Sequence, residues 1–173
     1  MSKHVQISEA LLSTGAVKFG DFTLTSGRKS DFYVDVKKAS SQPHILSQLA
    51  SSFSTEAPQN IDTLAGLELG AIPLLVATSL KMKIPFAMIR KVARKHGTNS
   101  RIEGALGNKI LVIEDVATTG GSIEDAVSVL REEGSEVDTA LVVVDREEGA
   151  KERLNQIGVS LISLVTISEI RGE

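Results

Sequence analysis

The chain contains no cysteine. That excludes a disulfide framework, thiolate catalysis and any zinc site built on Cys. Histidine is scarce as well, with only three, and no Ser–His–Asp arrangement can be assembled around His4, His44 or His96. His4 and His44 read as surface or capping residues, and only His96 is placed for chemistry. The longest apolar run, Ala71 to Leu80, is far below the ~20 residues a membrane span needs. Residues 1–9 lack the apolar core of a secretory signal, so a cytoplasmic protein with no membrane partner is expected. The net charge of -3 gives no general attraction to nucleic acid. No nucleic-acid partner is expected, and any anion binding must come from local clusters. There is no G-x-x-x-x-G-K-[ST], which argues against a P-loop nucleotidase. Nor does a G-x-G-x-x-G follow any strand, which argues against a dinucleotide fold.

What is present suits one globular domain. Its 173 residues are 42% hydrophobic and 24% charged, enough for a single core and short for two. His4 to Leu12 predicts a short amphipathic helix ended by Gly15. Phe22–Thr25 and Phe32–Val36 alternate around Ser26-Gly-Arg-Lys-Ser30 and predict an antiparallel hairpin. A helix is expected from about Pro43 to Phe53 with Ser41 as its cap. Strands at Ile61–Leu67, Phe86–Ile89, Ile110–Glu114, Thr139–Asp145 and Val159–Val165 then alternate with helices, among them Ile72–Met82 and Ala150–Ile157. That alternation predicts an α/β fold with an open, mostly parallel sheet flanked by helices. Ligands of such sheets sit outside the carboxyl ends of the strands.

Unusual residues follow those ends. Ile110–Ile113 reads as a buried parallel strand ending in Glu114 and Asp115. A short loop, Val116-Ala-Thr-Thr-Gly-Gly121, leads through Ser122 into a helix with apolar residues at Ile123, Ala126, Val127 and Leu130. A small-residue loop at a helix N-terminus offers free backbone N–H groups and the positive end of the dipole, an anion site most naturally for phosphate. The two acids one step earlier can accept hydrogen bonds from a vicinal diol such as a ribose. The segment Arg90-Lys-Val-Ala-Arg-Lys-His-Gly-Thr-Asn-Ser-Arg101 carries five fixed positive charges, one histidine and no acid, and predicts a long exposed loop. Set over a phosphate site, such a loop can neutralise a departing polyanion and exclude water. In Asp145-Arg-Glu-Glu-Gly149, Arg146 either grips a planar carboxylate of a ligand or pairs with Glu147 or Glu148; spacing leaves both open.

These motifs, in this order, resemble the orotate phosphoribosyltransferase family of type I phosphoribosyltransferases. Phe22 to Ser30 resembles its base-side hairpin, Gly66 to Pro73 its pyrophosphate loop, Arg90 to Gly97 its catalytic loop, and Glu114 to Ser122 its ribose-phosphate signature. The resemblance implies one domain over residues 1–173, with a base-side hood at 1–40 and an α/β core at 60–165. It implies transfer of a phosphoribosyl group from phosphoribosyl pyrophosphate to orotate, with Mg²⁺ held mainly through substrate, in pyrimidine (UMP) biosynthesis. Glu114 and Asp115 would hold the ribose hydroxyls. Val116, Ala117, Thr118, Thr119, Gly120, Gly121 and Ser122 would hold the 5′-phosphate. Thr118 and Arg146 would contact orotate, and Arg90, Lys91, Arg94 and His96 the pyrophosphate. Arg94, Lys91, His96 and Asp115 would carry the catalysis. A homodimer with shared active sites is implied too, part of the basic loop serving the partner's site.

Three positions depart from the bacterial pattern of that family: Thr25 and Gly70 stand where lysines are common, and Arg94, with Lys95 adjacent, takes the place of the loop lysine. Two rival readings remain at this level. One is a phosphoribosyltransferase for another nucleobase; the other is a non-catalytic regulator that senses phosphoribosyl pyrophosphate.

Overall fold

The computed structural model describes residues 3–23, 27, 29–92 and 101–173. Helix α1 (Lys3–Ser13) precedes a ribbon of β1 (Val17–Thr23) and β2 (Lys29–Val34), then α2 (Lys37–Ser40) and α3 (Pro43–Glu56). Strands and helices then alternate through β3 (Thr63–Leu67), α4 (Ala71–Met82), β4 (Phe86–Ile89), β5 (Ile102–Gly104), β6 (Lys109–Ala117) and α5 (Gly121–Glu132). The chain closes with β7 (Glu136–Asp145), α6 (Ala150–Gln156), β8 (Ser160–Thr166) and α7 (Ile167–Arg171). Among the described residues, β1 and β2 pair with each other, and the other strands form one sheet in the order β5-β4-β3-β6-β7-β8. The pairs β3–β4, β3–β6, β6–β7 and β7–β8 are parallel, while the edge strand β5 runs antiparallel to β4. This is the open, mostly parallel sheet that the alternation predicts.

The sheet is buried on both faces, as a parallel sheet must be. Along β6, Leu111 and Ile113 join Leu49 and Phe53 of α3 and Leu74 and Leu75 of α4. The alternate residues Ile110 and Val112 face the other way, against Ile123, Val127 and Leu130 of α5 and Leu154 of α6. Each such side chain contributes about 1.5–3 kcal/mol when fully buried. A register slip by one residue would exchange the two faces, so the pairing is strongly fixed.

The order of strands places the site. From β3 the chain steps to β4 on one side, and from β6 to β7 and β8 on the other. The connections after β3 and β6 therefore diverge, and a crevice opens between them at the strands' carboxyl ends.

Several local expectations need correction. Strand β6 does not stop at the acids but continues through Ala117, because β7 runs on beside it: Glu114 pairs with Val142, Val116 with Val144 and Ala117 with Asp145. The hairpin strands start and end earlier than the alternation implies. Gly20 and a register shift between Phe19 and Phe22 interrupt the period-two pattern of β1. Ser41 does not cap α3; it ends α2, its hydroxyl donating to Lys38 O at 2.9 Å, and Gln42 takes the N-cap position. Helices α2 and α7 and strand β5, of four, five and three residues, are too short to leave a periodic signal.

Candidate active site

The core of the site is the carboxyl end of β6. Glu114 is 7% exposed, and its Oε1 accepts the backbone N–H of Asp115 at 2.9 Å. Burial, and then the charge of Asp115, pushes its carboxyl up to about 8. Glu114 therefore carries its proton around neutral pH. Asp115 is less buried, and its Oδ1 accepts the N–H of Val116 at 2.9 Å.

Beyond Ala117 the chain turns through Thr118, Thr119 and Gly120 into α5. Gly120 has φ +80°, and a Cβ there would meet the Cα and carbonyl oxygen of Ala150 at 3.2 Å. Both the left-handed backbone and the close approach call for glycine. Glu124 is the first residue to donate back into the helix, to Gly120 O at 2.9 Å, so the preceding N–H groups stay available for an anion. Residues 116–123 line a concavity of about 80 Å³ at this point.

Across the crevice lies the loop after β3. The peptide Glu68–Leu69 is cis. Glu68 N donates to Ile89 O at 2.9 Å, and its Oε1 accepts Lys91 N at 2.8 Å, which ties the loop to the start of the basic segment. A Cβ at Gly70 would land on the carboxylate of Asp115, so that carboxylate lies against the bare backbone of the loop. Between them is a cavity of about 340 Å³ lined by Lys37, Glu68, Gly70, Lys91, Glu114 and Asp115, among others.

The third wall is built from the ribbon and the turn after β7. Arg146 N donates to Ala117 O at 2.9 Å, which fixes the turn beside the end of β6. Its guanidinium lies 4.6 Å from the centre of the Phe32 ring, and Nε and Nη2 both reach Oε1 of Glu148 at 2.8 Å. Glu147 adopts φ +58°, and its Oε2 accepts both the backbone N–H (3.0 Å) and the hydroxyl (2.5 Å) of Ser168. Asp145 is buried, and burial raises its pKa; Oδ1 accepts Glu147 N at 2.9 Å. A cavity of about 770 Å³ opens here, lined by Phe22, Lys29, Phe32, Arg146 and Glu148, among others. Its rings and its cations Lys29 and Arg146, which suit a planar anionic ring, stand beside the acids Asp21, Asp31 and Glu148.

The profile of the phosphoribosyl transferase domain family matches residues 41–165. An orotate phosphoribosyltransferase of Thermoplasma volcanium is 52% identical over 167 residues, covering 95% of this chain and 99% of that protein. This chain belongs to the orotate phosphoribosyltransferase family. The crystal structure of orotate phosphoribosyltransferase from Aeropyrum pernix matches with a TM-score of 0.87 at 35% identity, covering 96% of this chain and 96% of that one. That of Mycobacterium tuberculosis orotate phosphoribosyltransferase, in complex with 5-phospho-α-D-ribosyl 1-diphosphate, matches with a TM-score of 0.79 at 27% identity, covering 98% and 99%.

The residues that the family resemblance singles out converge only in part within the described residues. Glu114, Asp115 and the segment Val116 to Ser122 form one continuous surface, Lys91 faces it across the crevice, and Arg146 adjoins it. Arg90 has its guanidinium 3.6 Å from Glu103 and accepts the Nε–H of Arg101 on its carbonyl at 2.8 Å. Arg101 itself forms a two-point pair with Asp125. Arg94, Lys95, His96 and Thr25 lie outside the described residues. Lys37, Glu68 and Phe32 line the cavities without having been singled out from the sequence, and Glu148, which the sequence offered only as a partner for Arg146, lines one as well. The Gly66–Pro73 motif contains Glu68 and so offered a signal for it. Lys37 had none, since its place in the site depends on how α2 docks.

Proposed function

We propose that the chain catalyses the reaction of orotate with phosphoribosyl pyrophosphate to give orotidine 5′-monophosphate and pyrophosphate, in pyrimidine biosynthesis. The bond from C1′ to a ring nitrogen of orotate forms as the C1′–O bond to pyrophosphate breaks. The observation that carries this reading is the convergence on the end of β6. An acid pair, a turn suited to an anion and an aromatic cavity holding Arg146 meet there, joined by the Arg146–Ala117 hydrogen bond. Sugar diol, phosphate and planar carboxylate each meet the group their chemistry requires.

In this reading Asp115 and Glu114 orient the ribose through its hydroxyls, and residues Val116 to Ser122 grip the 5′-phosphate through backbone N–H groups. Arg146 takes the carboxylate of orotate, and Thr118 lies beside the base. Glu148 holds Nε and Nη2 of the guanidinium, so a ligand carboxylate would share the arginine with it or displace it. Arg90, Lys91, Arg94 and His96 receive the pyrophosphate, and Arg94 acts by charge rather than by proton donation, because its guanidinium does not deprotonate. Positive charge builds at C1′ and negative charge on the leaving group, so fixed cations lower the barrier more than a general acid would. Asp115, with Glu114 beside it at the crevice, would help hold a Mg²⁺ brought with the substrate, and the ion would neutralise charge on the leaving group.

The working form is a cytoplasmic homodimer in which the basic segment of one subunit serves the site of the other, and residues 1–40 act as the hood over the base in a single-domain chain. The test is identification of products by mass spectrometry after mixing orotate, phosphoribosyl pyrophosphate and Mg²⁺ with the protein. Orotidine 5′-monophosphate and pyrophosphate in equal amounts support the reading. Hydrolysis to ribose 5-phosphate with orotate untouched overturns it.

A further inference from the structure

Glu68, Glu114 and Asp115 line the crevice, and among the described residues its cations are Lys37 and Lys91. The loop on its far side, Glu68-Leu-Gly70, brings an acid and no positive charge. Position 70 is a glycine, and the Asp115 carboxylate fills the space beside its bare backbone. A diphosphate entering this space draws its positive charge from outside that loop, and Lys37 lines the cavity together with Lys91.

Lys37 sits on a rigid mount. It opens α2, whose flanking residues Val36 and Ala39 are fully buried in the core, and the chain just before it is pinned by Asp35 N donating to Ala16 O at 2.7 Å. The ammonium itself is half-exposed and lies 2.8 Å from Asp35 Oδ1. Its charged form is favoured first by Asp35 and in part by the charge of Asp115. A compact ammonium on a flexible stem can leave Asp35 for a phosphoryl oxygen while its mount stays still.

We propose that Lys37 is a diphosphate-binding residue, delivering from the junction of hood and core the positive charge that the Glu68–Gly70 loop lacks. The inference rests on the proposed reaction for its substrate and on the cavity for its residue. Asp35 stores the ammonium while the crevice is empty, and the donor's diphosphate takes it over.

The test compares Lys37→Met and Lys37→Arg with the parent protein in steady-state kinetics, with product inhibition by inorganic pyrophosphate. Lys37→Met raises KM for phosphoribosyl pyrophosphate roughly tenfold or more and weakens inhibition by pyrophosphate to match. KM for orotate stays within about twofold, and Lys37→Arg recovers most of the loss. Unchanged donor KM in Lys37→Met, or equal losses for both substrates, overturns the proposal. Calorimetric titration of phosphoribosyl pyrophosphate into both proteins separates this from the reaction itself. If the parent binds the donor but turns over no orotate, a roughly tenfold weaker titration of Lys37→Met still upholds Lys37. Equal titrations, or no binding by the parent, overturn it.

Discussion

Glu114 and Asp115 are neighbours in sequence, but Glu114 is buried and Asp115 only partly so. Glu114 is raised to about 8 from an ordinary 4.5. Its folded value lies above its unfolded one, so the stabilisation it gives is complete below pH 4.5 and drains away as pH rises to about 8. Glu114→Gln, which keeps the shape of the protonated acid, removes that drain. The gap in melting temperature between variant and parent should widen from pH 5 toward about 8 and level off above it; a gap independent of pH contradicts the assignment. At pH 7 the same variant should keep most of its donor affinity, while Asp115→Asn loses much more. Arg146 makes a second prediction at this scale. Losing a charge-assisted hydrogen bond costs about 1.5–3 kcal/mol, so Arg146→Ala should raise KM for orotate by about ten- to a hundredfold. KM for phosphoribosyl pyrophosphate should change little. If both KM values rise together, the arginine supports the fold of the turn rather than the base.

Among the elements, the turn between β6 and α5 is the most constrained. Gly120→Ala places a side chain in a left-handed backbone and against Ala150, at about 1–2 kcal/mol. Its melting temperature should fall by about 2–4 °C per kcal/mol, and KM for the sugar donor should rise as the turn deforms. Normal melting and normal KM would show that the turn tolerates other shapes. Apolar periodicity and the Gly-Gly-Ser start of α5 made this turn legible in the sequence, and Ile123, Ala126, Val127 and Leu130 are all buried as their spacing implies. The end of β6 was less legible, because Glu114 and Asp115 look like a strand terminus until the pairing with β7 is known. Helix α2 gave no signal, and Lys37 was hidden with it. Pairing of Arg146 with Glu148 was one of two arrangements the spacing allowed, and only the fold adds that Phe32 lies beneath it.

At the scale of the whole molecule, the reversal of strand order between β3 and β6 opens the crevice, and the ribbon β1–β2 is drawn toward its mouth. Arg171 of α7 pairs with Asp31 at 2.8 Å and lies 5.2 Å from the Phe19 ring, so the end of the chain clasps the ribbon. These contacts are partly exposed, and Arg171→Ala should cost about 1 kcal/mol or less. The proposed dimer makes a stronger claim. Arg94→Ala and Asp115→Asn variants, each nearly inactive alone, should regain activity when mixed, because a hybrid dimer assembles one site from two intact halves. No recovery under conditions where subunits exchange would place Arg94 in its own subunit's site.

The central claim is the reaction and its base. It is tested most directly by following the ultraviolet absorbance of orotate after addition of phosphoribosyl pyrophosphate and Mg²⁺, with adenine, hypoxanthine and uracil in parallel. The account predicts that orotate is consumed only when every component is present and that the other bases are left untouched. Consumption of another base in place of orotate, or tight binding of the donor with no base consumed, would contradict it.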